Sequence, residues 1–82
     1  MLAPEQSRAA RAWLDWSQDD LAKRAHVALS TVRDFEKGRR MPIKNNLDAI
    51  RSVLEGAGIS LLFDTGGKPH GISFQGLYDT GN

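Results

Sequence analysis

Between Arg33 and Lys44 the chain carries five basic residues, Arg33, Lys37, Arg39, Arg40 and Lys44, against two acidic ones, Asp34 and Glu36. Side chains of this kind make hydrogen bonds and ion pairs to anions and to polar base edges. An arginine such as Arg33 presents a planar fork that matches two acceptors at once, as on guanine, or pairs with a phosphate or with Asp34. Asp34 accepts from cytosine, or orients Arg33. Leu29 has no hydrogen bond to give, but packs on a thymine methyl if it faces DNA, and is otherwise an ordinary surface or protein-contact residue. Taken alone, such a charge run is also the pattern of a solvated surface. Bond-making chemistry has less support. His26 and His70 stand apart from motif-spaced carboxylates, Gly66 and Gly67 read as turn residues rather than a phosphate loop, and the chain has no cysteine. No catalytic residue, metal or cofactor is expected.

The elements that must position these groups are written in the apolar spacing. Leu21 and Ala22, then Val27, Val32 and Phe35, describe two short helices that cross steeply, with the small Ala22 at the contact and the last three burying against the first helix. The same spacing turns Leu29, Ser30, Arg33 and Asp34 away from the body, where a helix lying in the major groove reaches base edges.

The segment S-Q-D-D-L-A-K-R-A-H-V from Ser17, followed by S-T-V-R-D-F-E-K-G-R-R-M-P from Ser30, resembles the phage Cro and repressor family, the XRE-type regulators, over about Arg8 to Leu54. The resemblance implies a mainly α fold, a four-helix Cro/repressor-like helix-turn-helix domain, and binding to double-stranded DNA through the major groove. It implies that Gln18 holds a DNA phosphate, with Thr31, Lys37, Arg39 and Arg40 as further phosphate candidates, and that Arg11 and Glu36 form an internal ion pair. Three positions depart from the family pattern. His26 stands where glycine is usual, Ala28 where a Ser or Thr caps the second helix of the motif, and Leu29 where a polar amide is frequent. Histidine is among the few non-glycine residues enriched at positive φ. Loss of the cap costs on the order of 1 kcal/mol and exposes an amide to water or phosphate.

Around the motif, Pro4 opens a first helix over about Glu5 to Leu14 with Ala9, Ala10, Trp13 and Leu14 at helical spacing. Trp13 reads as core and Trp16 as packing at the start of the second helix. Ser17 with Asp20 three residues on gives a capping-box-like start for that helix, which ends near Ala25. The third helix runs to Lys37, stopped by Gly38 and Pro42. A fourth starts near Lys44 or Asn45, presents Leu47, Ile50, Val53 and Leu54, and stops at Gly56 and Gly58. Beyond Gly58 the period changes: Ile59 to Phe63 and Ile72 to Phe74 are β-branched and apolar, separated by the turn-rich Asp64 to Gly71. The expected fold is therefore the helical domain, residues 1–58, followed by a short C-terminal β-hairpin and tail, residues 59–82, with Leu77 and Tyr78 as docking points.

An isolated hairpin is marginal in water, so this one must pack on the helices or join another chain. Both faces of its first strand are apolar. Ile59, Leu61, Leu62, Phe63, Ile72 and Phe74 are accordingly expected to form a homodimer contact, and a chain ending at Gly58 to be monomeric and less stable. At 82 residues and a net charge of +1, the chain is small enough to bury only about 60 to 65% of its unfolded surface, which also favours a partner subunit. No signal-peptide core and no apolar run of about 20 residues is present, so a cytoplasmic protein without membrane contact is expected. The function expected is a sequence-specific transcriptional regulator, a repressor binding a palindromic operator as a homodimer. Its rivals are an antitoxin, the DNA-binding half of a pair with a toxin protein, and a protein-binding module that has lost DNA recognition.

Overall fold

Proline at a first helical turn, an oxygen-bearing cap and residues able to take positive φ mark where this chain starts and stops its helices. The computed structural model describes residues 1–75, so Leu77 and Tyr78 lie outside the described residues. Helix α1, Pro4–Leu14, begins on its proline and ends at Asp15, which takes the left-handed conformation. Helix α2, Gln18–Ala25, follows Ser17. The Ser17 hydroxyl accepts from the Asp20 N–H at 2.9 Å, while Asp20 Oδ2 accepts from the Ser17 N–H at 2.9 Å. These two bonds satisfy donors that an uncapped helix leaves orphaned. Helix α3, Leu29–Glu36, ends one residue earlier than the pattern suggests, with Lys37 as its cap. Gly38 then takes φ +75°, a turn that a side chain would strain. Helix α4, Lys44–Gly56, is followed by strands β1, Ile59–Phe63, and β2, Pro69–Phe74, paired antiparallel.

The helices bury one cluster that includes Leu2, Ala10, Leu21, Val32, Phe35, Leu47, Ile50 and Leu54. Ile59 belongs to the same cluster, and Leu61 and Ile72 pack against it. One face of the hairpin is thus covered by its own helices. Gln6 fixes the sheet to α1: its buried amide nitrogen donates to the carbonyls of Leu62 at 2.9 Å and Gly71 at 3.1 Å, and its oxygen accepts from the Ala3 N–H at 3.0 Å.

Two expectations are corrected. Trp13 is not core: it is 64% exposed, and its ring leans on Phe74 with centroids 5.9 Å apart. The inward face of α1 is instead Gln6, Ser7 and Ala10, with Leu14 half-buried, because two polar side chains there answer buried groups on other elements. The second strand also starts at Pro69 rather than Ile72. Asp64 closes the turn early, its Oδ1 accepting from the N–H groups of Gly66 and Lys68, both at 2.9 Å, while its own N–H donates to the Lys68 carbonyl at 2.8 Å. Proline is tolerated at a first strand position because no ladder donor is needed there.

Candidate nucleic-acid interface

The turn between α2 and α3 sets the angle of the exposed helix. His26 caps α2 at φ 58°, ψ 43°, left-handed backbone that glycine adopts without a side-chain penalty. Val27 then donates its N–H back to the Ala22 carbonyl at 3.0 Å, which closes the turn. Ala22, 2% exposed, lies in the same buried cluster as Val32 and Phe35, which hold α3 against the core. Ala28, the cap of α3, offers no side-chain hydrogen bond.

On the outer side of α3, Ser30 and Arg33 are exposed, and Thr31 and Asp34 are half-buried. Leu29 is half-buried and packs on the core cluster, so only part of it is available to a ligand. Ser30, Thr31 and Asp34 form one wall of a groove. Arg40, Met41, Pro42 and Ile43 of the following loop form the other, and Asn46 of α4 closes the end. Lys37, Arg39 and Arg40 are exposed along this loop. Lys44 is also exposed, but its ammonium holds Asp48 at 2.8 Å, and that hydrogen bond raises its pKa. The basic edge is therefore carried by Arg33, Lys37, Arg39 and Arg40. Spacing alone did not mark Met41, Ile43 and Asn46. Ile43 and Met41, 69% and 56% exposed, have the apolar identity of core residues, so residue type alone does not point to them as groove lining.

Behind this surface lies a polar hub. Glu36, 2% exposed, ends α3 and faces α1 and α2. Arg11 donates to it through Nε at 2.9 and 3.1 Å and through Nη2 at 2.6 Å, and Ser7 Oγ donates to Oε2 at 2.6 Å. Gln18 Nε2 donates to Oε1 at 3.1 Å. The Arg8 guanidinium reaches the Glu36 carbonyl, and Arg11 Nη1 the Trp16 carbonyl at 3.0 Å. Burial pushes the Glu36 carboxyl up, but the hydrogen bonds from Arg11, Ser7 and Gln18 outweigh it and hold the group below the usual carboxylate range. The same hydrogen bond to Glu36 raises Arg11 against the opposing effect of its burial. The family resemblance implied the pairing of Arg11 with Glu36, and neither it nor the residue pattern pointed to Ser7 and Gln6. The four-residue step from Ser7 to Arg11, which sets both on one helix face, is the signal that could have found Ser7.

Gln18 therefore spends one donor inward. Its amide has a second N–H and an oxygen with which to meet a phosphate. Trp16 packs partly on the core, and the Arg24 guanidinium lies 4.2 Å from its ring centroid, an exposed cation–π contact. His26 caps α2, whereas His70 lies in β2.

The arrangement is a short helix presented outward, a capped helix bracing it from behind and a cationic loop at its end. Among the described residues no helix is long and apolar enough to cross a membrane. No curated protein matches the chain. The helix-turn-helix family model matches residues 8–60 of the 82, from the middle of α1 to the start of β1. On that match and this geometry, the chain belongs to the XRE-type helix-turn-helix family of DNA-binding transcription regulators.

Proposed function

We propose that the protein is a repressor that binds a palindromic operator as a homodimer, with α3 in the major groove. The observation that carries the reading is the groove between the outer face of α3 and the Arg40–Ile43 loop, with Arg40 in its lining and Arg33, Lys37 and Arg39 exposed on α3 and on the segment that leads to it. In this reading Arg33 and Ser30 meet base edges. Asp34 orients Arg33 or accepts from cytosine, and Leu29 offers the uncovered part of its side chain to a thymine methyl. Gln18, Thr31, Lys37, Arg39 and Arg40 hold phosphates on either side and fix the register. A dimer sets two such helices about 34 Å apart, one turn of DNA. The hairpin supplies the homodimer contact, and Ile59, buried in its own protomer, supports that contact from beneath.

Footprinting on the DNA upstream of the chain's own gene tests this directly. Protection of two half-sites about 10 base pairs apart, centre to centre, is the expected result. Protection absent at every upstream segment, together with equal affinity for any duplex, would remove the operator reading.

A further inference from the structure

Three side chains donate to the Glu36 carboxylate, and they differ in what they have left to give. Ser7 is 0% exposed, and Arg11 turns its Nη1 to the Trp16 carbonyl at 3.0 Å. Gln18 is the first residue of α2 and only half-buried, and its amide nitrogen carries a second N–H beyond the one given to Oε1 at 3.1 Å. The two ends of an amide have nearly the same shape, so its partner decides which way it faces. Glu36 is held ionised and can only accept, so the amide meets it through nitrogen; reversed, two acceptors would stand against each other. Arg11 offsets the charge of Glu36, which leaves the pair neutral behind the surface. The bond also joins the two ends of the motif, because Gln18 opens α2 and Glu36 closes α3.

We infer that Glu36 is a positioning residue for DNA binding: its carboxylate holds the Gln18 amide nitrogen so that the second N–H of that nitrogen is aimed at a backbone phosphate. The inference rests on the reading above that Gln18 holds a phosphate, and names the group that makes it able to. One amide nitrogen then bridges two anions, the buried carboxylate behind it and the phosphate in front. A glutamine free to turn must be frozen from several rotamers when it grips a ligand, and that ordering weakens binding by about twofold to tenfold. An amide already held on Glu36 has lost that freedom on folding. Because Glu36 is the last residue of α3, the same bond ties the phosphate grip to the helix that presents Arg33. Glu36 itself, 2% exposed, meets no DNA and acts through Gln18.

A double-mutant cycle read in DNA affinity tests the inference. Gln18→Ala is made in the native chain and in the Arg11→Met with Glu36→Leu background, where apolar side chains replace the ion pair. Each full-length protein is titrated with duplex from upstream of the chain's own gene over a range of salt. In the native chain Gln18→Ala should weaken binding at least about tenfold. The salt dependence should stay as it is, because a neutral amide releases no counterion. In the apolar background the same substitution should weaken binding by less than about threefold. A loss under about threefold in the native chain would overturn the phosphate role of Gln18 itself. A loss as large in the apolar background as in the native chain would leave that role standing and overturn the positioning by Glu36. Side-chain nitrogen relaxation of the free native chain gives an answer that needs no variant. The Gln18 amide should show an order parameter close to the roughly 0.85 of rigid backbone, and a value under about 0.6 would also overturn the inference.

Discussion

Replacing Glu36 by glutamine should be among the most destabilising conservative changes this chain can suffer. The carboxylate takes three hydrogen bonds from the Arg11 side chain and one each from Ser7 and Gln18, at 2% exposure. A glutamine keeps one acceptor oxygen and turns an N–H₂ either toward the Arg11 guanidinium, which can only donate, or toward Ser7 and Gln18, which must then turn round to accept. Arg11, with its side chain 17% exposed, keeps its charge and loses its partner. Breaking one side of such a pair costs about 3 to 5 kcal/mol, a large share of the roughly 4 to 12 kcal/mol available to a chain this small. At about 4 to 8 °C per kcal/mol, the midpoint of thermal unfolding should fall by at least about 12 °C. The double variant Arg11→Met with Glu36→Leu removes both charges and should recover most of that loss.

The pH dependence carries the same sign. The folded carboxyl lies below its unfolded value. Its contribution is therefore complete above the unfolded pKa of about 4.3 and is lost as pH falls through the folded one. Acid should destabilise the native chain in that window and the Glu36→Gln variant less. Denaturant unfolding at neutral and acid pH measures both. A loss under about 1 kcal/mol at neutral pH would refute the hub as a source of stability.

Two further outcomes follow from other backbone and side-chain features. His26→Gly, at φ 58°, should leave stability unchanged or raise it by up to about 1 kcal/mol; a loss larger than that in chemical denaturation would reveal an imidazole contact. Gln6→Ala should leave the Leu62 and Gly71 carbonyls without their side-chain donor, costing about 1 to 3 kcal/mol and speeding amide hydrogen exchange in β1 and β2. Unchanged exchange there would mean that packing alone holds the hairpin.

The helices were legible because their signals are local: Pro4, the Ser17–Asp20 box, His26 and Gly38 each act within a turn of where they stand. The second strand was read short because the Asp64 side chain closes a turn whose residues otherwise look like a long loop. Trp13 was misplaced for a different reason. Periodicity defines a stripe of apolar residues but not its rotation about the helix axis, and the buried needs of Glu36 and the hairpin turn Ser7 and Gln6 inward, which rolls Trp13 out. On α3, the exposure of Ser30 and Arg33 was readable from spacing alone. The inward bond of Gln18 and the partial burial of Leu29 were not, since both depend on which element lies behind α3.

The most direct test of DNA reading by α3 compares Arg33→Ala with Arg40→Ala, each titrated against the footprinted site and random duplex over a range of salt. Arg33→Ala should lose about 1 to 3 kcal/mol on the site and little on random DNA, whereas Arg40→Ala should weaken both alike and flatten the salt dependence by about one unit. Equal losses on the two DNAs for Arg33→Ala, with Arg40→Ala silent, would contradict α3 as the reading helix and the loop as its phosphate clamp.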